Sequence, residues 1–89
     1  MMRLRTEDLV WQDLDDDLVI LDLRASTYLR LNDTAAVLFR ELDRTGSTEA
    51  LVTKLRSEYE VATEDAERDV QSFLSRLSDY DLIADAPQT

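Results

Sequence analysis

The chain has 89 residues, with 20 acidic and 10 basic side chains and a net charge of −10 at neutral pH. It contains no cysteine and no histidine, which removes disulfides, thiol nucleophiles, thiolate metal sites, and the commonest general base and zinc ligand. So acidic a surface repels phosphate, excluding nucleic acid and anionic lipid as partners and favouring a basic one. The 44% apolar content exceeds that of a disordered acidic chain, so one folded domain spanning residues 1–89 is expected. The N-terminus is charged and lacks an apolar stretch of signal-peptide length. The longest apolar run, Leu18-Val19-Ile20-Leu21, falls far short of the roughly 20 residues that span a bilayer. A cytoplasmic location follows as the default.

In chain order, Leu9-Val10-Trp11-Gln12 suits a first strand, and Asp13 to Asp17 a turn. Leu18 to Leu23 suits a second strand. Val19, Leu21 and Leu23 share one face, and Leu18, Ile20 and Asp22 the other; both are largely apolar, which predicts a central strand. Arg24-Ala25-Ser26 is a short turn. Thr27 to Leu31 reads as a third strand, with Leu29 and Leu31 on one face and Tyr28 and Arg30 on the other. That alternation predicts an edge strand. Asn32 or Asp33 caps a first helix with the stripe Ala35, Leu38, Phe39 and Leu42. Gly46 stops it, and Ser47 or Thr48 caps a second helix with Leu51, Val52, Leu55 and Tyr59. Thr63 caps a third, with Ala66, Val70, Phe73, Leu74, Leu77 and Tyr80 on one stripe. Its acidic opening, Glu64-Asp65, suits the positive end of the helix dipole. The packed region is expected over about 9–83, with residues 84–89 a frayed tail. The fold class is α+β: a three-stranded antiparallel sheet followed by three helices (β-β-β-α-α-α), winged helix-turn-helix-like.

Few residues suggest chemistry. Asp13, Asp15, Asp16 and Asp17 cluster, but a calcium loop needs glycine at its sixth position and glutamate at its twelfth. Counted from Asp13, those positions hold Leu18 and Arg24, so a solvated hairpin turn fits better. No motif singles out a catalytic carboxylate pair. An acyl carrier needs a serine at a helix start, usually in Asp-Ser-Leu. Ser47 and Ser72 lack that setting, and capping or surface roles explain them. Trp11 reads as core. Tyr28 sits opposite Leu29 and Leu31, where it either covers the core or forms a binding surface. The edge of the third strand is more informative. It carries Arg30 as its only charge and no proline, so it is weakly guarded against pairing. Such an edge accepts an extended peptide as an added strand unless the third helix covers it, and a helix beside a free edge makes a groove.

The ordered set Leu21-Asp22-Leu23, Tyr28-Leu29-Arg30-Leu31-Asn32-Asp33-Thr34-Ala35, Asp69-Val70, Phe73-Leu74, Leu77 and Leu82-Ile83 resembles the PqqD family. These are peptide-recognition elements of ribosomal peptide natural-product pathways, and the likeness runs from about Val10 to Ile83. The strand-to-helix segment Leu-Asn-Asp-Thr-Ala is its most specific piece. The chain looks most like the stand-alone leader-binding protein of lasso peptide biosynthesis. Chaperoning a peptide for a radical SAM enzyme in a PQQ-type pathway is the alternative within the family, and an acyl-carrier-like protein the alternative outside it.

No cofactor or metal is expected, and since the sequence shows no coiled-coil seam a monomer is expected. The resemblance implies a non-catalytic protein. It binds a precursor leader peptide as a strand on strand three against helix three. It then presents the precursor to a transglutaminase-like leader peptidase and an ATP-dependent cyclase. Carried over by position, the peptide-binding strand is Thr27, Tyr28, Leu29, Arg30 and Leu31. The helix face is Asp69, Val70, Phe73, Leu74, Arg76 and Leu77. Which of its apolar residues face the peptide and which the core is open at this stage. One departure stands out. Many relatives carry a glycine in the turn before strand three, where this chain has Arg24-Ala25-Ser26.

Overall fold

A computed structural model describes residues 3–5 and 7–85. Its elements are β1 (Arg3–Leu4), β2 (Leu9–Leu14), β3 (Asp17–Asp22), β4 (Thr27–Leu31), α1 (Asp33–Thr45), α2 (Thr48–Glu58), α3 (Thr63–Asp79) and β5 (Ile83–Asp85). The three strands of the sequence reading are β2, β3 and β4. They form an antiparallel sheet in that order, with β3 central and β4 at an edge. The three helices follow as expected.

The strand boundaries sharpen the reading. β2 runs on to Leu14 and β3 begins at Asp17, so the first turn is only Asp15-Asp16, and Leu23 belongs to the second turn. With one glycine in the chain, tight reversals fall to other residues. Asp8, Asp15, Ser26 and Asp81 all adopt positive φ. Aspartate accepts this conformation more readily than most residues because its short polar side chain bonds locally. Ser26, in the turn before β4, takes φ 56° although it is not glycine. The Asp22↔Thr27 register beyond it is regular.

The helix termini follow sequence logic with one exception. The Asn32 side chain accepts a bond from the Ala35 N–H, and Ser47 from Ala50. Gly46, at φ 66°, donates its N–H to the Leu42 carbonyl and closes α1. Thr63 does not cap α3. It is the first helical residue, Ala62 holds the cap position, and no side-chain cap bond forms. The end of α3 carries a motif without glycine. Asp81 at φ 59° lets the Leu82 N–H reach the Leu77 carbonyl at 3.0 Å, while the Asp81 N–H reaches Ser78 at 3.0 Å. This paired bonding terminates the helix and turns the chain into β5.

β1 and β5 were not foreseen. They pair antiparallel, Leu4 opposite Ile83, and Leu4 is buried in the core. Packing therefore begins before Leu9, and Ala84 and Asp85 lie in a strand instead of a frayed tail. Residues 86–89 of the expected tail lie outside the described residues.

The core lies between the sheet and the helices. Leu18, Ile20 and Leu31 from the sheet meet Ala36, Leu38, Phe39 and Leu42 of α1, Leu51 and Leu55 of α2, and Val70 and Leu77 of α3. Trp11 packs against this core edge-on to Phe39, with ring centroids 5.0 Å apart. Ala36, more than Ala35, fills the α1 contact, and Tyr80 lies outside the core at 47% exposure.

Candidate peptide-binding edge

Hydrogen-bond direction along β4 follows from the ladder. The Leu23 N–H donates to the Asp8 carbonyl at 2.8 Å, just beyond the Leu9↔Asp22 pair. Bonded pairs alternate in an antiparallel ladder, so Val10↔Leu21, Gln12↔Val19 and Leu14↔Asp17 are the bonded pairs of β2 and β3. A two-residue hairpin closing on Leu14↔Asp17 agrees with this. The alternate residues of β3, which are Leu18, Ile20 and Asp22, then bond to Leu31, Leu29 and Thr27 of β4. The N–H and C=O groups of Tyr28 and Arg30 therefore point away from the sheet, along its free edge.

The side chains alternate in the other direction. Leu29 and Leu31 enter the core, while Tyr28 is 70% exposed on the face turned away from the helices. Arg30 is exposed on that same face and pairs with Asp17 at 2.8 Å, which neutralises the only charge on the edge. Thr27 is exposed at the start of the strand.

On α3, the apolar residues of the expected site belong first to the core. Val70 and Leu77 are fully buried. Phe73 and Leu74, like Leu29, are buried but keep a fraction of their surface, which places them at the core's rim. Asp69 and Arg76 are exposed. Seven residues apart, they stack two turns from one another on one side of the helix. Tyr28 and Phe73 thus stand on opposite sides of the sheet.

Beside the start of β4 lies a shallow depression lined by Ile20, Asp22, Thr27, Tyr28, Leu29, Tyr80 and Leu82. Tyr80 and Leu82 follow the last turn of α3, so the depression lies between the strand edge and the end of that helix. Asp22, Tyr80 and Leu82 are absent from the sequence-derived site. Tyr80 falls seven residues after Phe73, on the same helical face, and that spacing was the available signal. Asp22 was legible as the one polar residue among the inward positions of β3.

A charged cluster anchors this end. The Asp22 Oδ1 atom accepts the N–H groups of Arg24 and Ala25, each at 3.1 Å, and lies 2.7 Å from an Arg5 guanidinium nitrogen. The Arg5 guanidinium holds the Asp22 carboxyl below its usual range, the two N–H donors add to this, and burial opposes it. Asp81 pairs with Arg24 at 3.2 Å and approaches Arg5 at 3.8 Å. The Arg5 N–H bonds to the Leu82 carbonyl. The N-terminal segment, the β3–β4 turn and the end of α3 are tied together beside the depression.

The aspartates of the first hairpin do not converge. Asp13 pairs with Arg40 of α1 at 2.5 Å and Asp17 with Arg30. Among the described residues no group of three or more Asp, Glu, His or Cys side chains is placed to hold a metal ion. None of the described helices is long and apolar enough to cross a membrane.

The family model described as coenzyme PQQ synthesis protein D (PqqD) matches residues 17–83. No curated protein matches the chain. Among solved structures, TbiB1 in complex with the TbiA(beta) leader peptide is similar at TM-score 0.89 and 26% identity, over 98% of this chain and 100% of that one. A lasso peptide synthetase B1 complexed with the leader peptide is similar at TM-score 0.84 and 34% identity, over 94% and 98%.

Proposed function

The chain belongs to the PqqD family, and we propose that it binds the leader region of a ribosomally made precursor peptide as an added strand on β4, in lasso peptide biosynthesis. The observation that carries this reading is the outward row of Tyr28 and Arg30 backbone groups beside the depression lined by Leu29, Tyr80 and Leu82. The leader-peptide complexes of TbiB1 and of the lasso peptide synthetase B1 support it.

Strand addition explains both affinity and selectivity. Four backbone groups, the N–H and C=O of Tyr28 and of Arg30, pair with the incoming strand whatever its sequence. Alternate peptide side chains then face the helix side. There the partly open Leu29, Phe73 and Leu74 receive apolar residues, while Asp69 and Arg76 meet charged ones. Val70, Leu31 and Leu77 act from beneath by fixing the floor. Thr27 and Tyr28 flank the peptide at the strand start. The net charge of −10 attracts a lysine-rich leader and raises its on-rate, an effect that fades with salt.

The protein's task is to hold and present. It acts in the cytoplasm without chemistry of its own, and hands the precursor to a transglutaminase-like leader peptidase and an ATP-dependent cyclase. Calorimetric titration with the leader encoded beside the gene tests the reading. The expected affinity is about micromolar to nanomolar, roughly −8 to −12 kcal/mol. Absence of saturable binding to that leader at low salt contradicts it.

A further inference from the structure

Among the described residues, Arg5, Asp22 and Glu41 are the buried charged side chains. Glu41 pairs with Arg44, whose side chain is exposed. Arg5 and Asp22 pair with each other at 2.7 Å, and they are only 8% and 6% exposed. The Arg5 Nε atom is buried and has no hydrogen-bond acceptor among the described residues. An ion pair buried on both sides, with an unmet donor, is a poor source of stability, because desolvation offsets the attraction. The N-terminal segment has other anchors, since Leu4 lies in the core and β1 pairs with β5.

The position of Arg5 explains it better. Arg5 is bonded to both walls of the depression at the start of β4 without lining it. On the sheet side its guanidinium holds Asp22, and the same Asp22 oxygen accepts the Arg24 and Ala25 N–H groups of the β3–β4 turn. On the side that follows α3, its backbone N–H donates to the Leu82 carbonyl at 2.8 Å. The other terminal guanidinium nitrogen approaches Asp81 at 3.8 Å.

We propose that Arg5 is a positioning residue for peptide binding: it fixes the distance between the β4 edge and the end of α3, and so shapes the seat for one leader side chain. The inference rests on the function proposed above. A groove already held in its bound shape binds more tightly, because less freedom is lost on association. The seat lies at the Thr27 end of β4, so one leader position feels Arg5 and the rest of the added strand does not.

Removing Arg5 alone leaves Asp22 buried without a counter-charge, which can unfold so small a protein. The test therefore uses the double variant Arg5→Met with Asp22→Asn, which keeps an oxygen for the turn N–H groups. Arg5→Lys, which keeps the charge, accompanies it. Circular dichroism melts verify folding. Each protein is titrated calorimetrically with the leader encoded beside the gene and with a series of leaders carrying one alanine each. The double variant should bind the intact leader at least fivefold more weakly than wild type, and Arg5→Lys should recover binding to within threefold of wild type. One alanine leader, already weakened against wild type, should bind the double variant and wild type within twofold of each other, while the others keep the fivefold difference. A folded double variant that binds the intact leader like wild type overturns the proposal. So does an equal loss for every alanine leader, which would show a general effect on the fold. A wild-type protein that binds no leader counts against the function itself, and the inference falls with it.

Discussion

The two faces of the three-stranded sheet have similar composition and opposite fates. Toward the helices, Leu18, Ile20 and Leu31 are sealed. On the other face Val10, Leu21, Leu23 and Tyr28 stand open. In β3 the alternation does not separate the two sets, since that strand reads as apolar on both sides. The difference comes from the helices, which cover one face only. In so small a domain an apolar strand position is therefore as consistent with a contact surface as with a core, and only the layering decides.

Substitutions sharpen that contrast, beginning with the largest effect. Leu31→Ala should cost about 2–5 kcal/mol of unfolding free energy, as expected for a sealed core leucine. Leu21→Ala, chemically the same change one strand away, should cost within about 0.5 kcal/mol. Urea denaturation of the pair reads the difference directly, and equal losses would mean that the outer face is packed. Leu29→Pro should also unfold much of the protein, because its N–H lies in the β3–β4 ladder and its side chain in the core.

Arg30→Pro should spare the fold, since that N–H points off the sheet and edge strands tolerate proline. It should weaken leader binding at least about tenfold, roughly 1.4 kcal/mol or more. An Arg30→Ala control removes the Asp17 ion pair while keeping the N–H, and should bind nearly as wild type. If Arg30→Pro binds the leader normally, strand addition at β4 is wrong.

Tyr28→Ala should have a smaller effect on leader binding, about 0.2–1 kcal/mol, because the side chain contacts an added strand only as a cross-strand neighbour on the open face. A larger loss in the same titration would put Tyr28 in the peptide pocket itself. Phe73→Leu probes the opposite side without the cavity that alanine would leave at this buried site.

Acid provides the finest test. Asp22 has a depressed pKa when folded, so its unfolded form binds the proton more readily, and its contribution to stability is lost as pH falls through the folded value. The melting-temperature gap between wild type and Asp22→Asn should be full above about pH 4 and close at lower pH. A gap that is constant with pH would show that Arg5 does not depend on the Asp22 charge.

Much of this architecture was legible in the sequence because local signals agreed with global packing. The central and edge strands, the Asn32 and Ser47 caps, the Gly46 stop and the stripe through Val70 and Leu77 all follow from alternation, capping chemistry and helical spacing. What escaped notice lacked such signals. β1 is two residues long, too short for a period, and it exists only through its pairing with β5. The end of α3 uses Asp81 in a conformation normally read from glycine. The depression brings Asp22 together with Tyr80 and Leu82 from a distant segment, and no spacing rule joins positions so far apart in the chain. The strand part of the proposed site was visible as an unguarded edge. The division of α3 between core and rim was not, because one helical stripe serves both.

Amide hydrogen exchange along β4, measured by NMR in the free protein and at saturating leader peptide, tests the central claim most directly. In the free protein, Leu29 and Leu31 should be protected by their bonds to β3 and Tyr28 and Arg30 should exchange fast. With the leader bound, Tyr28 and Arg30 should become protected as well. If they continue to exchange fast while the peptide is bound, the leader does not join the sheet at this edge.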